Sequence, residues 1–284
     1  MKKLIYIDGS FMPENRAAIS PLDAGFLFGE GLFETIRTYH GQPFLLDDHL
    51  ARLRQGLQKL AIPEPQNLQQ SPAITSELLV ANRLTQEPGV IKLIVSRGNT
   101  EIGNPDKTLA PTLVIRATKL DLESIRRRQQ GMRALLLPWC RDRQNPLLAV
   151  KSLGYLENRY GLNEAHRKGF DEGIFINQEG ELCEGSFSNL FLIRGESLLT
   201  PPLTAGLLPG ITRAFILNTA KQLHIDCQET PLYERDLKKC DGAFLTSSLM
   251  EMAPLIELSG HKFNPDKTSK LLNTLQEAFR KKTT

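Results

Sequence analysis

The sequence predicts a mixed α+β protein folded in two halves, and three features carry that prediction. Strand-like alternation and helix-like apolar stripes are interleaved along the whole chain. Its 284 residues are enough for two ordinary domains. From residue 119 the pattern lapses into a polar run, Lys119 to Gln130, that lacks a strong apolar face and is closed by Gly131. This divides the chain into a smaller α/β domain at 1–118, a linker at 119–131 and a larger domain at 132–284.

In chain order, residues 3–8 alternate and end in Asp8-Gly9, a two-residue hairpin signal, with Ser10–Met12 as the return strand. Gly31–Tyr39 reads as a strand, His40–Pro43 as a turn and Phe44–Leu46 as a second short strand. Asp47 and Asp48 supply carboxylates to the first turn of a helix whose apolar stripe is Leu50, Leu53, Leu57 and Leu60. A second helix fits Ser71–Leu84, opened by Ser71-Pro72. Strands follow at Val90–Ser96 and Thr112–Ala117. The second half offers the strand Arg133–Leu137, the apolar run Leu147–Val150 and the helix Tyr155–Lys168. The strands Gly173–Asn177 and Asn189–Ile193 bracket a turn. A helix at Ile211–Leu223, strands near 225–229 and 243–246, and a helix near the C-terminus complete the reading.

Composition narrows the function. The net charge is +3 and the densest basic cluster is Arg126-Arg127-Arg128, which reads as a solvated face, so no nucleic-acid partner is expected. The cysteines, Cys140, Cys183, Cys227 and Cys240, form no Cys-x-x-Cys pair and read as free thiols of a reducing compartment. With no secretory signal and no 18-residue apolar run, a cytoplasmic protein without a membrane span is expected. The five histidines lack metal-ligand spacing, so no metal is expected.

Lys151 directly follows Leu147-Leu148-Ala149-Val150. If that run is a strand buried on both faces, the ammonium enters a low-dielectric site, where desolvation makes a lysine a Schiff-base former and general base. The competing reading is an ordinary solvated lysine. Glu184, ahead of Gly185-Ser186 and a strongly apolar strand, is either a hairpin carboxylate or the partner of a protonated pyridine nitrogen. Pro209-Gly210-Ile211-Thr212 opens a helix whose free amides offer ordinary capping or a phosphate site. Thr246-Ser247-Ser248 has the same two readings. Arg52, between Leu50 and Leu53, points at a pocket rim or at solvent.

Together and in this order, the segments resemble the fold-type IV (class IV aminotransferase) pyridoxal-phosphate enzymes over nearly the whole chain. The matching stretches are DAGFLFGEGLFETIR at 23–37, DHLARL at 48–53, KSLGYLEN at 151–158, EGSFSNLF at 184–191, TPPL at 200–203, GLLPGITR at 206–213 and FLTSS at 244–248. The resemblance implies two domains with pyridoxal 5'-phosphate in the cleft between them, the larger one binding the cofactor, in a homodimer acting on a small molecule. It implies that Lys151 carries the cofactor and moves the Cα proton, and that Glu184 pairs with the ring nitrogen. Arg52, Ile211, Thr212 and Ser248 would hold the phosphate, with Ser188 and Ser247 beside the cofactor and Leu207 against the ring. Tyr155 becomes a candidate for the ring O3', with Arg141 as a further group reaching that region.

Substrate contacts fall to Phe33, Arg37 and Arg97, the arginines because a planar fork matches a carboxylate. A structural ion pair is the alternative for both. The Arg-x-His pair of D-amino-acid members is missing from RGNTEIGNP at 97–105, and Lys92-Leu93 replaces the Arg-Pro step of branched-chain members. IKLIVSRG at 91–98 resembles the LKVVISRG pattern of 4-amino-4-deoxychorismate lyase, although the Arg-rich glycine loop that follows in the lyase is replaced. The expected activity is therefore that lyase, giving 4-aminobenzoate and pyruvate for folate biosynthesis. An L-branched-chain-type aminotransferase is the alternative, and a non-catalytic cofactor-binding relative is the remote one.

Overall fold

The computed structural model describes residues 3–101 and 110–283, with the side chains of 265–269 set aside. The chain divides into two compact units: Met1–Asp121 with Val150–Tyr155, and Leu122–Ala149 with Leu156–Thr284.

The first unit is built on β1 (Leu4–Ile7), β2 (Ser10–Pro13), α1 (Ala24–Phe28), β3 (Gly31–Tyr39), β4 (Gln42–Pro43), α2 (Leu46–Lys59), α3 (Ser71–Ala81), β5 (Gly89–Ser96) and β6 (Thr112–Lys119). The strands form one antiparallel sheet in the order β2-β1-β6-β5-β3-β4. Asp8 and Gly9, at φ 44° and 97°, make the expected tight hairpin. Phe44–Leu46 is not a strand. The turn needs only His40 and Gly41, Gln42-Pro43 is already the return strand, and Leu46 opens α2, whose first turn holds Asp47 and Asp48. Helix α3 stops three residues early because Asn82 leaves the helix to bond strands. Its amide donates to the carbonyls of Leu4 and Ala117, and its Oδ1 accepts from the Leu4 amide.

Alternation gives this sheet two different faces. Leu32, Ile36, Ile91, Leu93, Val95, Leu113 and Ile115 pack beneath Leu50, Leu53 and Leu57 of α2 and Ile74, Leu78 and Leu79 of α3. The register pairs Phe33 with Ile94, Thr35 with Lys92 and Arg37 with Val90 on the other face.

The run Leu147–Val150 departs from expectation. Pro146–Ala149 is a 3-10 turn, Leu147 is 49% exposed, and only Val150 is buried. Asn145-Pro146 explains this, because the Asn145 side chain accepts from the Leu147 amide and starts a turn. Strand β3 instead holds Lys151. The Phe33 amide donates to the Lys151 carbonyl at 3.0 Å and the Leu153 amide to Gly31 at 2.8 Å, with Leu32 bridged to Ser152.

The second unit comprises α4 (Leu122–Gln129), β7 (Met132–Arg141), α5 (Leu156–Arg167), β8 (Glu172–Asn177), β9 (Leu182–Gly185), β10 (Asn189–Arg194), β11 (Ser197–Thr200), α6 (Ile211–Gln222), β12 (Cys227–Glu229), β13 (Gly242–Ser247), β14 (Glu251–Leu258), β15 (His261–Lys262) and α7 (Pro265–Thr283). The stretch expected as a linker thus contains the helix α4, which buries Ile125 alone and is otherwise mostly charged or polar. Strand β7 runs beyond Leu137 through an irregularity that contains Pro138. The strand order is β12-β11-β10-β13-β14-β7-β8-β9, with β15 on β14, and a pair between Glu184 of β9 and Asn189 of β10 closes the path into a ring. Phe191 and Phe244, fully buried on adjacent strands, stack at 5.0 Å and 2°.

Gly31 is where β3 has no room for a side chain. A Cβ there would lie 2.5 Å from the Val95 carbonyl and 2.6 Å from Leu153. Gly31→Ala is expected to cost about 1–3 kcal/mol, since the strand pair or the Lys151 segment must give way; urea denaturation measures it.

Candidate active site

In the first unit, the Phe33 ring is the platform. The Lys151 ammonium stands 4.7 Å from its centroid, and Tyr155 packs edge-on against it at 5.2 Å and 87°. Lys92, from the neighbouring strand, places its ammonium 3.5 Å from the same centroid and donates to the Thr35 hydroxyl at 3.2 Å. Burial, and then the charge of Lys151, lowers the Lys92 pKa to about 8. Arg37, two residues beyond Thr35 on the same face, lays its guanidinium over Tyr39 at 4.7 Å. Phe33, Lys151 and Tyr155 are therefore brought together, and Lys92 joins them. Its signal in the sequence was a lysine at an outward position of an otherwise apolar strand.

Behind this face, Glu34 is 1% exposed. Arg52 grips it with two hydrogen bonds, Nε to Oε1 at 2.8 Å and Nη2 to Oε2 at 2.6 Å, while His49 Nδ1 lies 2.6 Å from Oε2. Burial pushes the Glu34 carboxyl up, but the bonds and charges of His49 and Arg52 outweigh it and hold it at about 2. Burial likewise holds the His49 imidazole below its usual range, against the pull of Glu34.

Arg97, expected at a substrate carboxylate, has partners within the first unit. Its Nε donates to Glu30 at 2.5 Å, and its two Nη groups donate to the carbonyls of Ala61 and Leu60. It fastens the end of α2, the structural alternative. Of the stretch 97–105 used to set aside the D-amino-acid and lyase loops, residues 102–105 lie outside the described residues.

In the second unit, Glu184 is 6% exposed, and its donors include Arg141, Leu208 and Asn189. Arg141 Nη1 donates to Oε1 at 2.9 Å, and the Leu208 amide and Asn189 Nδ2 donate to Oε2 at 3.1 and 3.3 Å. Arg141 also donates to Glu157 at 3.0 Å and stacks 3.3 Å from the Phe175 centroid. The Asn189 side chain donates to the Leu208 carbonyl as well, and a Cβ on Gly210 would lie 1.9 Å from Asn189 Oδ1. Glycine is thus what lets α6 begin against the Glu184 cluster. Gly210 gives α6 no side-chain cap, so the amides of Ile211 and Thr212 begin a helix that its own residues do not satisfy. Leu207 is buried just before this helix.

Two expected cofactor residues have structural partners of their own. Ser188 donates to Glu172, a carboxyl that burial pushes up, and Ser247 accepts from the Met250 amide. The Thr246 hydroxyl oxygen is buried without a hydrogen-bond partner among the described residues.

With this geometry in view, comparison with known proteins decides the family. The Amino-transferase class IV family matches residues 31–258. The chain belongs to the class IV aminotransferases. It is 33% identical over 280 residues to a Methanocaldococcus jannaschii protein named "Putative branched-chain-amino-acid aminotransferase", covering 97% of this chain and 95% of that one. It is 34% identical over 257 residues to the aminodeoxychorismate lyase of Bacillus subtilis, covering 90% and 86%. The branched-chain aminotransferase of Thermoproteus uzoniensis, crystallised with norvaline, superposes with a TM-score of 0.87 at 27% identity, covering 99% and 96%. The cofactor of this class IV aminotransferase is pyridoxal phosphate. The residues present fit it: the first unit offers a lysine amine on an aromatic platform, and the second a buried carboxylate bonded to an arginine, an uncapped helix start and a buried hydroxyl without a hydrogen-bond partner among the described residues. Among the described residues, no cluster of three metal-binding side chains occurs, and no helix is long and apolar enough to cross a membrane.

Two measurements check the electrostatics. Glu34 takes its proton near 4.5 when unfolded but only at about 2 when folded. The stability it adds, on the order of 3 kcal/mol, is whole above the first value and lost as pH falls to the second; acid titration of Glu34→Gln should lack this limb. Arg141→Met leaves Glu184 buried without its main counter-charge and is expected to cost about 3–5 kcal/mol in denaturant unfolding.

Proposed function

We propose that this class IV aminotransferase is a 4-amino-4-deoxychorismate lyase, with Lys151 as its catalytic residue. The observation that carries the reading is the pair of cations, Lys92 and Arg37, on the sheet face that also presents Lys151 and Phe33. The substrate has two carboxylates, and an ammonium and a guanidinium suit both. A branched aliphatic side chain would find no advantage beside Lys92.

Bound pyridoxal phosphate supplies an electron sink conjugated to the substrate amine. Lys151 removes the proton from the amine-bearing ring carbon. The electron pair left behind makes the ring aromatic as the ring C–O bond breaks. The enolate of pyruvate leaves and takes up a proton, giving pyruvate and 4-aminobenzoate with no second substrate. Glu184, which accepts from Arg141 and from two amide donors, would pair with the ring nitrogen. Arg52, Ile211, Thr212 and Ser248 would hold the phosphate, Leu207 would pack on the ring, and Tyr155 would serve its hydroxyl oxygen. Arg37 and Lys92 receive the carboxylates.

The reading extends to a cytoplasmic homodimer. Phe26 and Phe28 of α1 are 75% and 62% exposed, an apolar cost that a second copy would remove. An aminotransferase reading has its own support in the 33% identity to the Methanocaldococcus jannaschii relative.

The deciding assay supplies 4-amino-4-deoxychorismate without any keto acid. Many turnovers with equal yields of pyruvate and 4-aminobenzoate are expected, and none from Lys151→Ala. If instead L-leucine or L-glutamate converts the bound cofactor to its pyridoxamine form while no pyruvate appears, the enzyme is the aminotransferase. Lys92 carries its charge below about 8, so kcat/KM should fall as pH rises through that value. Lys92→Met should raise KM about tenfold or more, leave kcat nearly unchanged and abolish that limb.

A further inference from the structure

The core between β3 and α2 contains one group that does not belong in an apolar layer. Glu34 alternates with Leu32 and Ile36 on the buried face of β3, opposite Leu50, Leu53 and Leu57. Filling that position with an apolar residue would spare the desolvation of a carboxylate, and buried ion pairs are often no more stabilising than well-packed hydrophobic substitutes. The geometry shows what the carboxylate accomplishes instead. An arginine side chain has four rotatable bonds, and its head is free to turn unless something holds its plane. Glu34 binds the Nε and Nη2 edge of Arg52 with both oxygens, so the guanidinium plane is fixed by a residue locked in the middle of a sheet. His49 precedes Arg52 by one helical turn and lies on the same face of α2. A carboxylate only accepts, so His49 donates from Nδ1 and holds Glu34 in place. The grip leaves the Nη1 end of the fork on the side away from Glu34.

We propose that Glu34 and His49 are positioning residues that orient Arg52 toward the phosphate of the cofactor. This rests on the reading of Arg52 as a phosphate contact, and the test separates the two. Full-length protein freed of its cofactor is titrated with pyridoxal phosphate and with pyridoxal, which lacks the phosphate, following visible absorbance. Glu34→Gln keeps the size of the side chain but weakens the grip. It should lower pyridoxal phosphate affinity by about ten- to a hundredfold and leave pyridoxal affinity unchanged. The phosphorus NMR signal of the loaded variant should also shift or broaden. His49→Gln, which keeps the Glu34–Arg52 pair, should produce a smaller loss with the same selectivity, and it decides the matter if Glu34→Gln does not fold. Arg52→Met sets the scale. If Arg52→Met weakens only pyridoxal phosphate while the Glu34 and His49 variants bind both ligands normally, or lose both equally, the positioning role is overturned and the phosphate contact stands. Equal affinities for both ligands in wild-type and Arg52→Met protein would overturn the phosphate contact itself.

Discussion

A carboxylate taken out of water must be paired, and the second unit is organised around the way Glu184 meets that demand. It accepts from donors on β7, on β10 and on the loop leading into α6. Glu184 and Asn189 are also the one pair through which β9 meets β10 and the sheet closes. The same residues therefore close a ring of strands, fix a carboxyl oxygen and set where a helix begins. Gly210 completes the arrangement because Asn189 occupies the space a side chain would need.

The first unit answers a different problem. Its sheet has one face committed to packing and one that is not, and β3 serves both. Phe33, Thr35 and Arg37 look one way, while Leu32, Glu34 and Ile36 look the other. A single strand thus carries the aromatic platform under Lys151 and the carboxylate behind Arg52. Its backbone holds the Lys151 segment by hydrogen bonds, so the Lys151 amine is placed by main-chain geometry instead of by a strand of its own.

Much of this was legible in the sequence, for identifiable reasons. Strand β3 and the α2 leucines follow strict periods of two and of three to four, which survive any tertiary context. Lys151, Glu184, Arg52 and the start of α6 sit in segments whose order resembles a known family. What escaped depended on contacts far along the chain. The run before Lys151 has strand-like composition, but Asn145-Pro146 turns it. Arg97 has the chemistry of a carboxylate receptor, yet two backbone carbonyls at the end of α2 claim it. Glu34 and Lys92 were passed over because a charged residue in an alternating strand normally marks a solvated face. Here one lies beneath a helix and the other on an aromatic ring. Strands β9 and β14 were missed because they are short or carry proline and charge, and the sheet recruits them through partners elsewhere.

The division of the chain also bears on how it comes into being. A ribosome that has released residues up to 121 has not yet released the first unit, because Val150–Tyr155 still has to arrive and dock along β3. Until then the Phe33 amide lacks the carbonyl it binds. The second unit waits longer, since Met132 of β7 pairs with Leu255 of β14. Neither unit is complete when its first strands emerge. The nascent chain therefore holds open sheet edges for most of its synthesis, and that interval is where misassembly threatens it most.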